Sequence, residues 1–205
     1  MPTFKKINLK QFTAPLIGVD EVGRGCLAGP VVAAAVIFKS DKDIKLYKDS
    51  KAISSEHREE LSLSIHKNHY VSIGWSSVEE IDELNILQAT FVAMNRALRD
   101  LNKKIKIKSG TILVDGRDCV PNMGSISQQA IIKGDQRVSV ISAASIAAKV
   151  ARDQFMQKLA LEYKDYGFEK HKGYGTLYHR TQIQKVGPCI WHRQSFGGVK
   201  EHIRS

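Results

Sequence analysis

Residues 16–19, Leu-Ile-Gly-Val, run directly into two adjacent carboxylates, Asp20 and Glu21, and then into a Gly-Arg-Gly turn at 23–25. A short apolar run closed by turn residues reads as a buried strand. Ionised carboxylates at the end of a buried strand are costly unless a cation meets them. A divalent metal meets that need. The turn adds bare backbone and a guanidinium at the same point, a combination suited to a phosphodiester. Taken alone, an acidic pair at a strand end reads as a solvated pair; the rest of the chain changes that reading.

Further strands are expected at 31–38, 70–76 and 111–114, the last again followed by an acid, Asp115. Another is expected at 129–133, leading to Gly134 and Asp135. The first two strands, joined by a short Gly/Pro-bearing segment, form an expected antiparallel pair. A helix is expected over 55–67, capped by Ser54 or Ser55, with Glu56, Glu59 and Glu60 in its positive first turns. Ser77 to Glu80 has the capping-box pattern. Leu87, Phe91, Met94, Leu98 and Leu101 then recur at helical spacing as a core stripe. Lys103 to Lys108 reads as a basic connection. Residues 138–141 lead into an Ala-rich helix over 143–163, capped by Ser142, whose small residues allow close packing on a sheet. Gly167 stops it, and a basic tail with one helix near 176–186 follows.

With 205 residues the chain suits one domain with a real core, and its net charge of +10 favours a polyanionic partner. The three cysteines, Cys26, Cys119 and Cys189, show no metal or disulfide spacing and read as reduced thiols. No membrane span or signal peptide is apparent, so a cytoplasmic protein is expected.

The ends of three strands thus carry Asp20 with Glu21, Asp115 and Asp135, and neighbouring strand ends converge in an open sheet. Four carboxylates brought together repel unless they share hard divalent cations, which prefer oxygen ligands. Adjacent strand residues face opposite sides. Asp20 is therefore the expected shared ligand, while Glu21 can act through its side chain, its carbonyl or both.

Seven segments in order resemble the bacterial ribonuclease HII family: GVDEVGRGCLAGPVVAAAV from Gly18, DSK at 49–51, ILVDG from Ile112, KGD at 133–135, ISAASIAAKVARD from Ile141, YGFEKHKGYGT from Tyr166 and HRQSF from His192. The resemblance implies a ribonuclease H-like mixed α/β sheet flanked by helices, with a C-terminal helical extension. The catalytic core would span 1–166, and 167–205 would be a substrate-binding segment of the same domain. It implies an endonuclease of RNA–DNA hybrids that also cuts 5′ of single ribonucleotides in duplex DNA, leaving 3′-hydroxyl and 5′-phosphate ends. Asp20, Glu21, Asp115 and Asp135 match its catalytic acids, with two Mg2+ or Mn2+ ions expected alongside substrate. Gly23, Arg24 and Gly25 match the turn that meets the ribonucleotide, whose 2′-hydroxyl distinguishes RNA from DNA. Tyr174 matches a residue packing on the adjacent sugar and base; Lys51 and Lys172 match contacts to the nucleic-acid backbone. A monomer without membrane association is expected.

Two other readings compete. A histidine-based ribonuclease would need an acid–base pair, and the seven histidines are scattered. A non-catalytic hybrid-binding protein would explain the charge but not four acids, which repel a polyanion.

Overall fold

The structure, a computed structural model, describes residues 7–40, 47 and 53–203. Five strands form one mixed sheet in the order β3-β2-β1-β4-β5. β1 (Leu16–Val22), β2 (Val31–Ile37) and β3 (Tyr70–Ser76) are an antiparallel meander. β4 (Thr111–Asp115) and β5 (Ser127–Ile131) extend it parallel to β1. Around it lie α1 (Ser55–Asn68), α2 (Val78–Leu84), α3 (Ile86–Ile105), α4 (Gly134–Arg137), α5 (Ser139–Glu162), α6 (Phe168–His171) and α7 (Leu177–Val186).

β2, Val-Val-Ala-Ala-Ala-Val-Ile, is buried along its whole length, as a strand covered on both faces must be. Its alternation splits the core. Ala33 and Ala35, with Ile17 and Val19 of β1, pack against Ala93, Ala97 and Leu98 of α3. Ala34 and Val36 pack against α5 and α1 through Ile141, Ala144, Ala148, Leu61 and Ile65. α5 lies so close to β1 that a Cβ on Gly18 would sit 2.2 Å from the Val140 carbonyl oxygen. A third cluster joins Leu27 and Ala28 to Met156, Tyr166, Phe168, Ile183 and Val199, seating the C-terminal elements on the far part of α5.

The capping box forms as the spacing predicts: Ser77 Oγ accepts from the Glu80 amide at 3.2 Å, and Glu80 Oε2 accepts from the Ser77 amide at 2.9 Å. Glu80 also pairs with Arg96 at 2.6 Å, which brings its carboxyl down to about 2. Ser54 caps α1, and Thr176 caps α7. Four sequence expectations are corrected. β1 does not stop at Val19 but continues through both acids to Val22, because β2 pairs with it that far. β5 ends at Ile131, and Lys133 turns the chain in the left-handed region so that Asp135 lies in α4 rather than at a strand end. α5 starts at Ser139, and Ser142 is an interior residue whose hydroxyl donates to the Tyr47 carbonyl, not a cap. α3 runs to Ile105, into the segment read as a connection.

In the third cluster His179 and His192 are fully buried, with their Nε2 atoms 3.0 Å apart. His192 Nδ1 accepts from the Cys189 amide at 2.9 Å, so its proton sits on Nε2 and is donated to His179. His179 Nδ1 then donates to the Tyr174 carbonyl at 2.9 Å. Both rings are thus held neutral, and burial brings both down to about 4. An unfolded histidine titrates near ~6.5, so below that pH the unfolded chain binds more protons than the folded one. The neutral pair's contribution is complete above about pH 6.5 and is lost progressively as pH falls towards ~4. Thermal melts between pH 7 and pH 5 should therefore show Tm falling with pH. His179→Gln should flatten that slope relative to the parent; a variant whose Tm follows pH as the parent's does would contradict the assignment.

Candidate active site

β1 pairs with β2 as far as Val22↔Val32, but with β4 only to Val19↔Val114. The last residues of β1 therefore border open space at the C-terminal ends of two parallel strands. A cleft of about 480 Å³ opens there. Asp20, Glu21, Gly23, Arg24, Gly25, Asp115 and Tyr174 line it, together with Arg58, Ser145, Ile146 and Lys149.

The electrostatics are those of crowded acids. Asp20 is buried on the α5 side, and its carboxyl is pushed well above the usual range by burial, then by the charges of Glu21 and Asp115. A hydrogen bond with Ser145 and the Glu21 amide, donating at 2.7 Å, pull the other way. Glu21 is raised by burial and by Asp115, against Arg24, whose guanidinium stands 3.4 Å away. Asp115 Oδ1 accepts from the Gly134 amide at 2.6 Å and the Asp135 amide at 3.4 Å. That contact fixes the start of α4 against the end of β4. Asp135 is thereby tied to Asp115 through its backbone, but its buried side chain does not line the cleft.

Among the described residues no three acidic, imidazole or thiol groups form a ready-made metal cage. A magnesium-like ion does not require one, since it keeps several waters and uses one or two carboxylates plus substrate phosphate. Asp20, Glu21 and Asp115, mutually repelling around an open cleft, fit a cation held in that way.

The Gly-Arg-Gly turn contains two different glycines. Gly23 has φ +96°, and a Cβ there would lie 2.3 Å from Arg152 Nε. Gly25 borders open space, with nothing within 4 Å of a Cβ placed on it. Arg24 between them is half exposed. Opposite, Tyr174 is 42 % exposed and bridges to Cys26 in antiparallel fashion. Lys149 Nζ lies 5.9 Å over the Tyr174 ring and pairs with Asp153 at 2.7 Å. Lys172 is turned elsewhere, its Nζ donating to the Glu169 carbonyl at 2.5 Å, and does not line the cleft. Lys51 lies outside the described residues.

Sequence reasoning did not assign roles to Arg58, Ser145 and Lys149. Ser145 and Lys149 are four residues apart on α5, so one helix face carries both; that spacing is a signal in the sequence, set beside the small alanines that pack on the sheet. Nothing local marks Arg58.

The ribonuclease HII family model matches residues 17–199. A ribonuclease HII from Pseudothermotoga lettingae is 48 % identical over 196 residues, covering 95 % of this chain and 82 % of that one. Among solved structures, the ribonuclease HII in a PCNA complex from Archaeoglobus fulgidus superposes with TM-score 0.73 at 25 % identity, covering 89 % of this chain and 95 % of that one. Bst-RNase HIII in complex with Mn2+ shares the fold at TM-score 0.71 and 18 % identity, over 91 % of this chain and 68 % of that one.

The contrast between the two glycines is testable by melting alone. Gly23→Ala places a methyl into Arg152 at a positive φ and should lose about 1–3 kcal/mol of stability. Gly25→Ala meets only solvent and should leave Tm within about a degree of the parent, as surface changes do. Equal losses at both positions would contradict the described turn.

Proposed function

Because the chain belongs to the ribonuclease HII family, and is thus a ribonuclease H-type endonuclease of RNA–DNA hybrids, we propose that this cleft also cuts on the 5′ side of a single ribonucleotide within duplex DNA. The products in this reading carry 3′-hydroxyl and 5′-phosphate ends. The observation that supports it most is the convergence of Asp20, Glu21 and Asp115 with an open Gly-Arg-Gly backbone and an exposed tyrosine at one cleft.

Two Mg2+ or Mn2+ ions, when bound, supply Lewis-acid polarisation of the phosphate and a nucleophile generated from water near neutral pH. The residues do the remaining work. Asp20, the most buried of the acids that line the cleft, provides the shared carboxylate, with Glu21 and Asp115 close enough to act on its charge. Asp135 supports Asp115 by holding its carboxylate through the backbone amide. Arg24, half exposed and only loosely held by Glu21, takes a neighbouring phosphate. The uncrowded backbone at Gly25 lets the 2′-hydroxyl approach as both donor and acceptor. Tyr174 covers the sugar and base beside it, and Lys149 steadies that ring. Residues 1–166 act as the catalytic core and 167–205 as the substrate-binding part of the same domain. Lys51 contributes to the backbone path, and Lys172, engaged with the Glu169 carbonyl outside the cleft, would have to release that carbonyl to do so. The enzyme works as a cytoplasmic monomer in this reading. Among the described residues no helix is long and apolar enough to cross a membrane.

Asp20→Asn should lower cleavage of an RNA–DNA hybrid roughly 10³-fold or more, because it removes several kcal/mol of metal-based stabilisation. Hybrid affinity, measured by fluorescence anisotropy, should change far less. Turnover retained by a pure sample would refute the role given to Asp20. Tyr174→Ala should reduce cleavage at an isolated ribonucleotide more than in a long hybrid, and equal losses would make Tyr174 a packing residue.

A further inference from the structure

Two arginines, Arg152 on α5 and Arg193 in the C-terminal segment, are fully buried. Among the described residues every hydrogen bond from their guanidinium nitrogens goes to a backbone carbonyl, and none to a carboxylate. Arg152 Nε donates to Pro30 at 2.9 Å, Nη1 to Lys172 at 2.8 Å and Nη2 to Ala28 at 2.9 Å. Arg193 Nε and Nη2 both donate to the Gly29 carbonyl, at 3.0 and 2.8 Å, and Nη1 donates to the Arg24 carbonyl at 2.9 Å. Burying a cation that no carboxylate meets by hydrogen bond is costly, and an apolar side chain would fill the same space at less cost. What a guanidinium alone supplies is five donors in a rigid fork, able to hold several carbonyls in fixed directions.

Of the carbonyls so held, that of Arg24 belongs to the cleft lining itself, those of Ala28, Gly29 and Pro30 to the chain that leaves the turn, and that of Lys172 to the approach to Tyr174. We propose that Arg193 and Arg152 are positioning residues: from beneath the surface they orient the Gly-Arg-Gly turn and join it to the Tyr174 loop, and so set how strongly a ribonucleotide is preferred over a deoxyribonucleotide. This rests on the reading of the cleft given above. A trans peptide points its C=O and N–H in opposite directions. With the Arg24 carbonyl drawn inward onto Arg193, the Gly25 N–H is directed outward, where Gly25 borders open space in the cleft. The Lys172 carbonyl is drawn onto Arg152 in the same way, two residues before Tyr174. The Leu27 amide donates to the Gly173 carbonyl at 2.8 Å, closing the junction between the two segments.

One glycine makes room for this brace directly: a Cβ on Gly23 would lie 2.3 Å from Arg152 Nε. At Gly173 the limit is the carbonyl that Arg152 holds, since a Cβ there would lie 2.5 Å from the Ala28 oxygen, and at Gly29 it is Met156 Sδ, also at 2.5 Å. Gly23 of the turn is therefore shaped as much by the buried guanidinium as by what enters the cleft. Arg193 is itself held by a latch. Asp82 of α2 accepts from the Gln194 and Ser195 amides at 2.8 and 2.9 Å and from the Ser195 hydroxyl at 2.6 Å. Arg193 also lies 5.1 Å from the Phe196 ring centre.

Arg193→Lys tests the proposal, because it keeps the charge but replaces the fork with one ammonium. The readout is a ratio: the inhibition constant of an all-DNA duplex divided by the KM for the same duplex carrying one ribonucleotide. A variant that only loses folded protein lowers kcat and leaves this ratio alone. Loss of positioning should raise KM for the ribonucleotide substrate and lower the ratio about tenfold or more, the scale of a lost charged hydrogen bond. If Arg193→Lys shows no cooperative melt, Asp82→Asn provides the same readout by loosening the latch while the Arg193 guanidinium itself stays in place, with an expected drop of about threefold. An unchanged ratio in a folded variant overturns the brace. A parent enzyme that does not discriminate between the two duplexes overturns the ribonucleotide reading instead, which keeps the two failures distinct.

Discussion

β1 is paired with β2 through Val22 but loses β4 after Val19, and the cleft exists because of that inequality. The hydrogen bonds from β2 keep the strand extended while it leaves the sheet interior, so Asp20 and Glu21 are carried out rigidly beside the end of β4. Asp115 closes β4 at the same level, and the amides of α4 fasten it there. The tight approach of α5, possible only because Gly18 has no side chain, then brings Ser145 and Lys149 to the same opening. Three acids raised or crowded by one another are the electrostatic outcome of this geometry, and a divalent cation is what such a site accommodates.

A second layer of constraint comes from the C-terminal segment. The HRQSF stretch reads as a family marker; in the structure its residues are fastenings, His192 and Arg193 in the interior and Ser195 at the surface. His192 anchors the neutral histidine chain that ends on the Tyr174 carbonyl, Arg193 holds Arg24 and Gly29, and Ser195 closes on Asp82. The substrate-facing turn and tyrosine loop are exposed, but both are positioned by buried polar groups whose hydrogen bonds are met by the backbone. Such groups are costly to bury and leave little freedom once buried.

Much of this was legible in the chain itself. The apolar run into Asp20, the Ser77–Glu80 capping box and the Leu87–Leu101 stripe are local patterns, and each became the element its spacing predicts; of the stripe, Phe91, Met94, Leu98 and Leu101 reach the core, whereas Leu87, in the first turn of the helix, is exposed. The acids at 20, 21 and 115 were legible because carboxylates beside apolar strands demand an explanation. Asp135 was placed at a strand end because its neighbours are apolar, whereas Lys133 reverses the chain first, a choice governed by the amides that Asp115 captures. Arg58, Arg152, Arg193 and Asp82 were not legible. For Arg152, Arg193 and Asp82 the fastening partners lie far along the chain, 112 residues away for Asp82 and Gln194, 122 for Arg152 and Pro30 and 169 for Arg193 and Arg24, and no local spacing reports such a distance.

The most direct test of the central claim is cleavage of an end-labelled DNA duplex carrying one ribonucleotide, in magnesium, in manganese and in EDTA. The account predicts one cut, on the 5′ side of the ribonucleotide, present with either metal and absent in EDTA, with a 3′-hydroxyl on the upstream product. A cut that persists in EDTA, or one that leaves a 2′,3′-cyclic phosphate, would contradict it.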